Sequence, residues 1–185
     1  MKPYSYLLIA SMALLSASCS KQQQARQPVS HKSGTFIKES IERNKILVAS
    51  EENLIDSVIK NDTLKQYVAS SKGYWYKYDH KIDEALSFPK RGDIVYYEYE
   101  IKDLESNVIY SKVETKPQVY YVDKENIMTG LRDGIKLMKK GETVTFLFPS
   151  HMAYGYHGDN KKISTNEPLI CTVTLNDFKT DTQAK

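Results

Sequence analysis

Apolar residues recur along this chain at two different periods, and the switch between them divides it. From Phe36 to about Lys60 the spacing is helical. Ile37, Ile41 and Val48 fall at multiples of three to four residues, as do Leu54, Ile55, Val58 and Ile59. Ser50 followed by Glu51 and Glu52 reads as the restart of a second helix, with acids in its first turn. One continuous helix through Ser50 is the alternative, and Asn61-Asp62 ends either version. From Gly73 the period drops to two. Gly73 to Tyr78 (GYWYKY) reads as an aromatic strand and Asp79 to Pro89 as a loop. Asp93 to Ile101 places Val95, Tyr97, Tyr99 and Ile101 on one face. A turn at Glu105-Ser106-Asn107 sends the chain back through Val108-Ile109-Tyr110, and Val119 to Val122 is another short strand. The helical period returns once, over Asn126–Lys140, with Ile127, Leu131, Ile135 and Met138 in one stripe, closing lysines and Gly141 as the stop. Thr143–Phe148 and Leu169–Leu175 complete the sheet. No internal repeat is visible. The order β-β-β-α-β-β predicts an α+β fold: an antiparallel twisted sheet wrapped around one short helix, with an N-terminal helical extension.

The first residues follow neither period. Met1-Lys2 is a short positive start, Leu7 to Leu15 is apolar, and Ser16-Ala17-Ser18 precede Cys19. This reads as a secretory signal ending in a lipidation cysteine, too short to span a bilayer. A plain signal-peptidase site is the alternative, because Leu15 sits one place further upstream than usual. Lipid on Cys19 would anchor the chain to the envelope membrane, and Ser20 is compatible with the outer membrane. The polar stretch after it, with Pro28 and Gly34, cannot form a core and reads as a tether.

Composition adds little against this and excludes something. The chain has 185 residues, 41% hydrophobic and 26% charged, with a net charge of +3. A basic excess this small and scattered does not indicate a nucleic-acid partner. The 14 tyrosines suit half-buried sheet faces. Cys171 lies within the last strand, where a cysteine is first a small core residue.

The run from Gly130 carries the most specific signal. It opens GLRDGIKLMKKGE, passes through TVTFLFP and SHMAYGYHG, and closes on EPLICTVTL. Gly130, Leu131, Gly134, Met138, Gly141, Glu142, Pro149, Ala153, Tyr154 and Gly155 match, without a gap, the pattern of the FKBP-type peptidyl-prolyl isomerases. Phe88-Pro89-Lys90-Arg91-Gly92 matches the start of that family's sheet, and Tyr99 follows at the expected distance. The resemblance covers about the C-terminal half. With the signal, the helical pre-segment and the GYWYKY strand, the whole chain resembles the gliding-motility-associated FKBP-type lipoproteins of the Bacteroidetes. The segments it implies are a signal (1–18), a tether (19–35), a helical extension (36–72), an isomerase-type domain (73–179) and a disordered tail (180–185).

Prolyl isomerisation requires no nucleophile, metal or cofactor. Its barrier is the loss of amide resonance, about 18–20 kcal/mol. A twisted amide is less dipolar than a planar one, so an apolar, water-poor bowl with a few orienting donors lowers the barrier. The resemblance implies that Tyr154 supplies an orienting hydroxyl, that Tyr99 and Tyr110 are walls, and that a backbone donor lies at Ile127. It also implies that Met128, Leu131 and Ile163 line the bowl. At three positions the chain departs from the pattern: Ser111 stands where Asp is usual, and Gln118 and Cys171 where Phe is usual. These departures predict a wetter bowl and weaker catalysis. Proline-containing polypeptides are the implied partners, in the folding of exported proteins for motility or secretion. A non-catalytic chaperone or scaffold of the same fold is the alternative. Bland readings remain for single residues, with Tyr154 as a loop anchor and Leu131 and Ile127 as core. A metal at His151, His157 and Asp159 matches no familiar spacing.

Overall fold

The structure is a computed structural model that describes residues 33–63 and 66–180. The signal, Cys19, most of the tether and residues 181–185 of the tail lie outside the described residues. The chain divides into two compact units, 1–39 and 40–185. In the first, the described residues 33–39 are helical.

Helix α1 (Ser33–Asn61) is continuous. Ser50 does not restart it, because Glu51 is not a first-turn acid; it is 3% exposed and is used elsewhere. Of the apolar positions read from the sequence, only the last turns are covered. Ile55, Val58 and Ile59 pack in a small core, while Ile41 and Leu54 are exposed. The helix ends at Asn61, where the sequence places its end. Beyond it, Val68–Ala69 forms a short edge strand, β1.

Seven strands make one antiparallel sheet. They are β1, β2 (Trp75–His80), β3 (Ile94–Lys102), β4 (Val108–Tyr110), β5 (Gln118–Tyr121), β6 (Thr143–Phe148) and β7 (Leu169–Lys179). The order is β1-β2-β6-β7-β3-β4, and β5 also pairs with β3. Thus β4 and β5 share one edge of β3, and the chain between them, Ser111 to Pro117, bulges away with a four-residue helix, α2 (Lys112–Thr115).

Strict alternation sorts the side chains. Tyr76, Phe146, Cys171 and Ile101 lie in register across β2, β6, β7 and β3, on the face that holds the main core. One residue along, Trp75, Leu147 and Ile170 form a row on the opposite face, and Ile55 of α1 packs there. This parity follows from the period of two.

Helix α3 (Thr129–Gly134) packs on the main-core face and is shorter than the predicted 126–140. A 3-10 turn carries it only to Leu137, and Met138 is extended (φ −101°, ψ 144°) and fully buried. Glu142 explains the early end. Its carboxylate, 1% exposed, accepts the N–H of Lys139 at 2.7 Å and of Ile82 at 3.0 Å. A charge-assisted bond outcompetes the helical partner that the Lys139 N–H would have had. The two glycines of GLRDG let α3 approach the sheet. A Cβ at Gly130 would stand 2.5 Å from the Phe148 ring, and one at Gly134 2.7 Å from the Phe146 ring.

Candidate functional site

Three tyrosines meet at one pocket of about 350 Å³, lined by Tyr99, Tyr110, Glu114, Thr115, Tyr154, Asp159 and Lys161. Each arrives from a different element. Tyr99 projects from the core face of β3 and stacks on Tyr97, with ring centroids 5.7 Å apart. Tyr110 ends β4. Tyr154 follows a 3-10 turn (Ser150–Met152) that leaves the end of β6. Among the described residues the Tyr154 hydroxyl has no hydrogen-bond partner. Burial, then the neighbouring Tyr99, Cys171 and Asp159, pushes its pKa above the ordinary phenol range. Tyr154 is therefore a neutral donor throughout the physiological range.

The lip of the pocket is organised by Asp159. Its Oδ1 accepts the N–H groups of Lys161, Lys162 and Ile163 at 2.9, 3.0 and 2.8 Å. Its Oδ2 accepts the Tyr110 hydroxyl. Burial opposes ionisation of this carboxyl, but the Tyr110 hydroxyl and those N–H groups outweigh it and bring the pKa down to about 2. The same bond raises Tyr110 to about 12. Lys162 spans the rim: its Nζ reaches Glu114 at 2.5 Å and the Ile109 carbonyl at 3.1 Å, and lies 4.8 Å from the Tyr110 ring centroid. Helix α2 is fixed to the sheet by the Thr115 hydroxyl, which donates to the Tyr99 carbonyl at 2.7 Å.

The other predicted site residues divide into two groups. Leu131, Ile163 and Cys171 are buried in the main core, against which Tyr99, Tyr110, Tyr154, Ile127 and Met128 pack. Met128 is the N-cap of α3, and neither it nor Ile127 gives its N–H to an acceptor among the described residues. The N–H and carbonyl of Ile163 both bond to Asp159, so this residue closes the lip by its backbone while its side chain fills the core. Ser111 and Gln118 are occupied locally. Ser111 caps α2 in a reciprocal box with Glu114. The Gln118 amide donates to the Thr115 carbonyl at 2.6 Å.

Four pocket residues were not foreseen as such: Glu114, Thr115, Asp159 and Lys161. For Glu114 a signal existed, since Ser111-Lys-Val-Glu114 is a capping-box pattern. For Asp159, noticed only as a weak metal candidate, nothing local announces a bond to a tyrosine 49 positions earlier.

Comparisons with known proteins bear on the family and the fold. Residues 86–176 match the model of the FKBP-type peptidyl-prolyl cis-trans isomerase family. A protein of Neisseria meningitidis serogroup B, described as a probable FKBP-type peptidyl-prolyl cis-trans isomerase FkpA, is 28% identical over 138 residues, covering 74% of this chain. The chain spans about half, 49%, of that relative's length. Among solved structures, FkpA of Escherichia coli superposes with a TM-score of 0.59 at 23% identity, over 97% of this chain and 84% of that one. A peptidyl-prolyl cis-trans isomerase of Pseudomonas syringae gives 0.56 at 18%, over 73% and 95%. At these identities the two structures speak for the fold. The family-model match, with the similar Neisseria protein beside it, places residues 86–176 in the FKBP-type peptidyl-prolyl cis-trans isomerase family.

Proposed function

We propose that the chain isomerises X-Pro bonds in polypeptides, and that it does so at the pocket of Tyr99, Tyr110 and Tyr154. The observation that carries this reading is the convergence of those residues, from three separate elements, within the segment that matches the family. The tyrosine rings supply apolar wall, and the buried Leu131, Ile163 and Cys171 supply the packed layer behind it. A proline ring held there loses water, which favours the less dipolar twisted amide over the planar one. The neutral Tyr154 hydroxyl, and the unengaged N–H groups at Ile127 and Met128, are suited to hold peptide carbonyls while the bond turns. None of these steps transfers a proton or forms a covalent intermediate, so no cofactor is called for.

The biological setting belongs to the same proposal. The apolar run ending at Cys19 supports export and lipid anchoring in the cell envelope, facing the periplasm, with the outer membrane favoured. Assistance to exported proteins, in motility or secretion, rests on the resemblance of the whole chain. A second reading, a non-catalytic scaffold of the same fold, is favoured by one observation: the polar groups at Ser111 and Gln118 are held by local backbone instead of serving the pocket.

A protease-coupled isomerisation assay on Leu-Pro and Phe-Pro peptides separates the two. Catalysis well above the spontaneous rate is expected. A folded protein with no rate above background would replace the isomerase reading with the scaffold.

A further inference from the structure

Glu51 plays no part in the reading above, yet its side chain is the deepest polar commitment helix α1 makes. It is 3% exposed and lies one turn before Ile55, which packs on the sheet face opposite the main core. Both carboxylate oxygens accept from a single residue 99 positions later. One takes the backbone N–H of Ser150 at 2.8 Å, the other its hydroxyl at 2.6 Å. A carboxylate withdrawn from water is costly unless such donors compensate it, so the contact fixes both partners in direction as well as distance.

Ser150 stands at a junction. Behind it, Pro149 follows the end of β6. Ahead, the Met152 N–H bonds to the Pro149 carbonyl and the Ala153 N–H to the Ser150 carbonyl, both at 2.9 Å. Met152 is anchored in the main core, and Tyr154 follows two residues later. The turn is therefore held at two points: Met152 by apolar packing and Ser150 by a carboxylate from the other side of the sheet. The direction in which Tyr154 leaves the turn depends on both.

We propose that Glu51 is a positioning residue for Tyr154, and that through the Glu51–Ser150 contact helix α1 sets the orientation of the pocket's hydroxyl. The proposal rests on the isomerase reading and deepens it. It makes the helical extension part of the catalytic apparatus without touching substrate.

The test uses the full chain, a Phe-Pro peptide and four variants: Glu51→Ala, Glu51→Gln, Tyr154→Phe, and Glu51→Ala combined with Tyr154→Phe. Glu51→Ala is expected to lower kcat/KM by up to about fivefold, the full loss of the Tyr154 hydroxyl bond being the ceiling. Glu51→Gln keeps an acceptor for the N–H and gains a donor for the hydroxyl oxygen, and should stay within about 1.5-fold of the parent. In the Tyr154→Phe background, Glu51→Ala should have little further effect, because its target is gone. Parent-like activity of Glu51→Ala, or an equal loss in both backgrounds, overturns the proposal. Should Glu51→Ala fail to fold, Ser150→Ala removes one of the two bonds and is read by the same dependence on Tyr154. A parent chain without any isomerase rate speaks against the functional reading instead. The contact is then judged by hydrogen exchange: in Glu51→Ala the amides of 150–155 must exchange faster relative to those of β3, and unchanged exchange overturns it.

Discussion

Tyr154 and Asp159 divide the work of the pocket, and each makes a measurable claim. In the proposed isomerase the Tyr154 hydroxyl donates to the peptide, so Tyr154→Phe removes one neutral hydrogen bond. The expected loss is about 1 kcal/mol, or about fivefold in kcat/KM. Undiminished kcat/KM in that variant would assign the orienting role to another group. Asp159 holds the lip. Its carboxyl ionises at about 2 rather than the ordinary 3.8, and its partner Tyr110 at about 12 rather than 10. A depressed acid stabilises the fold above its unfolded pKa and loses that contribution as pH falls toward its folded one; a raised phenol stabilises below its unfolded pKa and loses that as pH rises toward its folded one. The lip's bond to Tyr110 should therefore be constant between about pH 4 and pH 10. Carbon-detected NMR titration of the Asp159 carboxyl checks this, and a midpoint at or above 3.8 would contradict the bond. The sequence showed Tyr154 and Tyr99 because a motif and a strand parity carry them. It did not show the use of Asp159 or Glu51, because each is defined by a partner far along the chain.

At the scale of elements, strands were easier to read than helix ends. An alternating pattern is local, and the faces assigned to Val95, Tyr97, Tyr99 and Ile101 are those observed. The end of α3 was misplaced because Glu142, from the following turn, captures the Lys139 N–H, which periodicity cannot register. The apolar spacing early in α1 was real but does not mean burial, since Ile41 remains exposed. The GLRDG segment makes the sharpest element-scale prediction. Alanine is a better helix former than glycine, by about 1 kcal/mol. Even so, Gly134→Ala should destabilise the domain by about 1–3 kcal/mol, because the new Cβ would meet the Phe146 ring. Urea unfolding measures it, and a stabilised variant would show that α3 can lift from the sheet without penalty.

For the whole molecule, the anchor is the claim with the widest reach. Intact-mass analysis of the mature protein should show residues 1–18 absent and lipid on Cys19, and Cys19→Ala should leave the membrane fraction. An unmodified N-terminus at another residue, or unchanged membrane association, would remove the anchor from the proposal.

The sheet has one further property, set by which strand occupies its middle. Strand β7, the last of the strands in the chain, lies between β6 and β3, pairing with β6 over residues 169–174 and with β3 over residues 170–179. While the chain is being synthesised, β3 and β6 have no common neighbour, and the core face of each stays open until residues 169–179 emerge. Completion of this sheet therefore waits for its last strand, with long loops to close and a rate limited accordingly. Ribosome-bound chains stopped before residue 169 should be cut by protease throughout β2 to β6, and chains extended well beyond 179 should resist. Such a sheet stays incomplete until its last strand is made, a state in which a chain can still be threaded through a translocation channel.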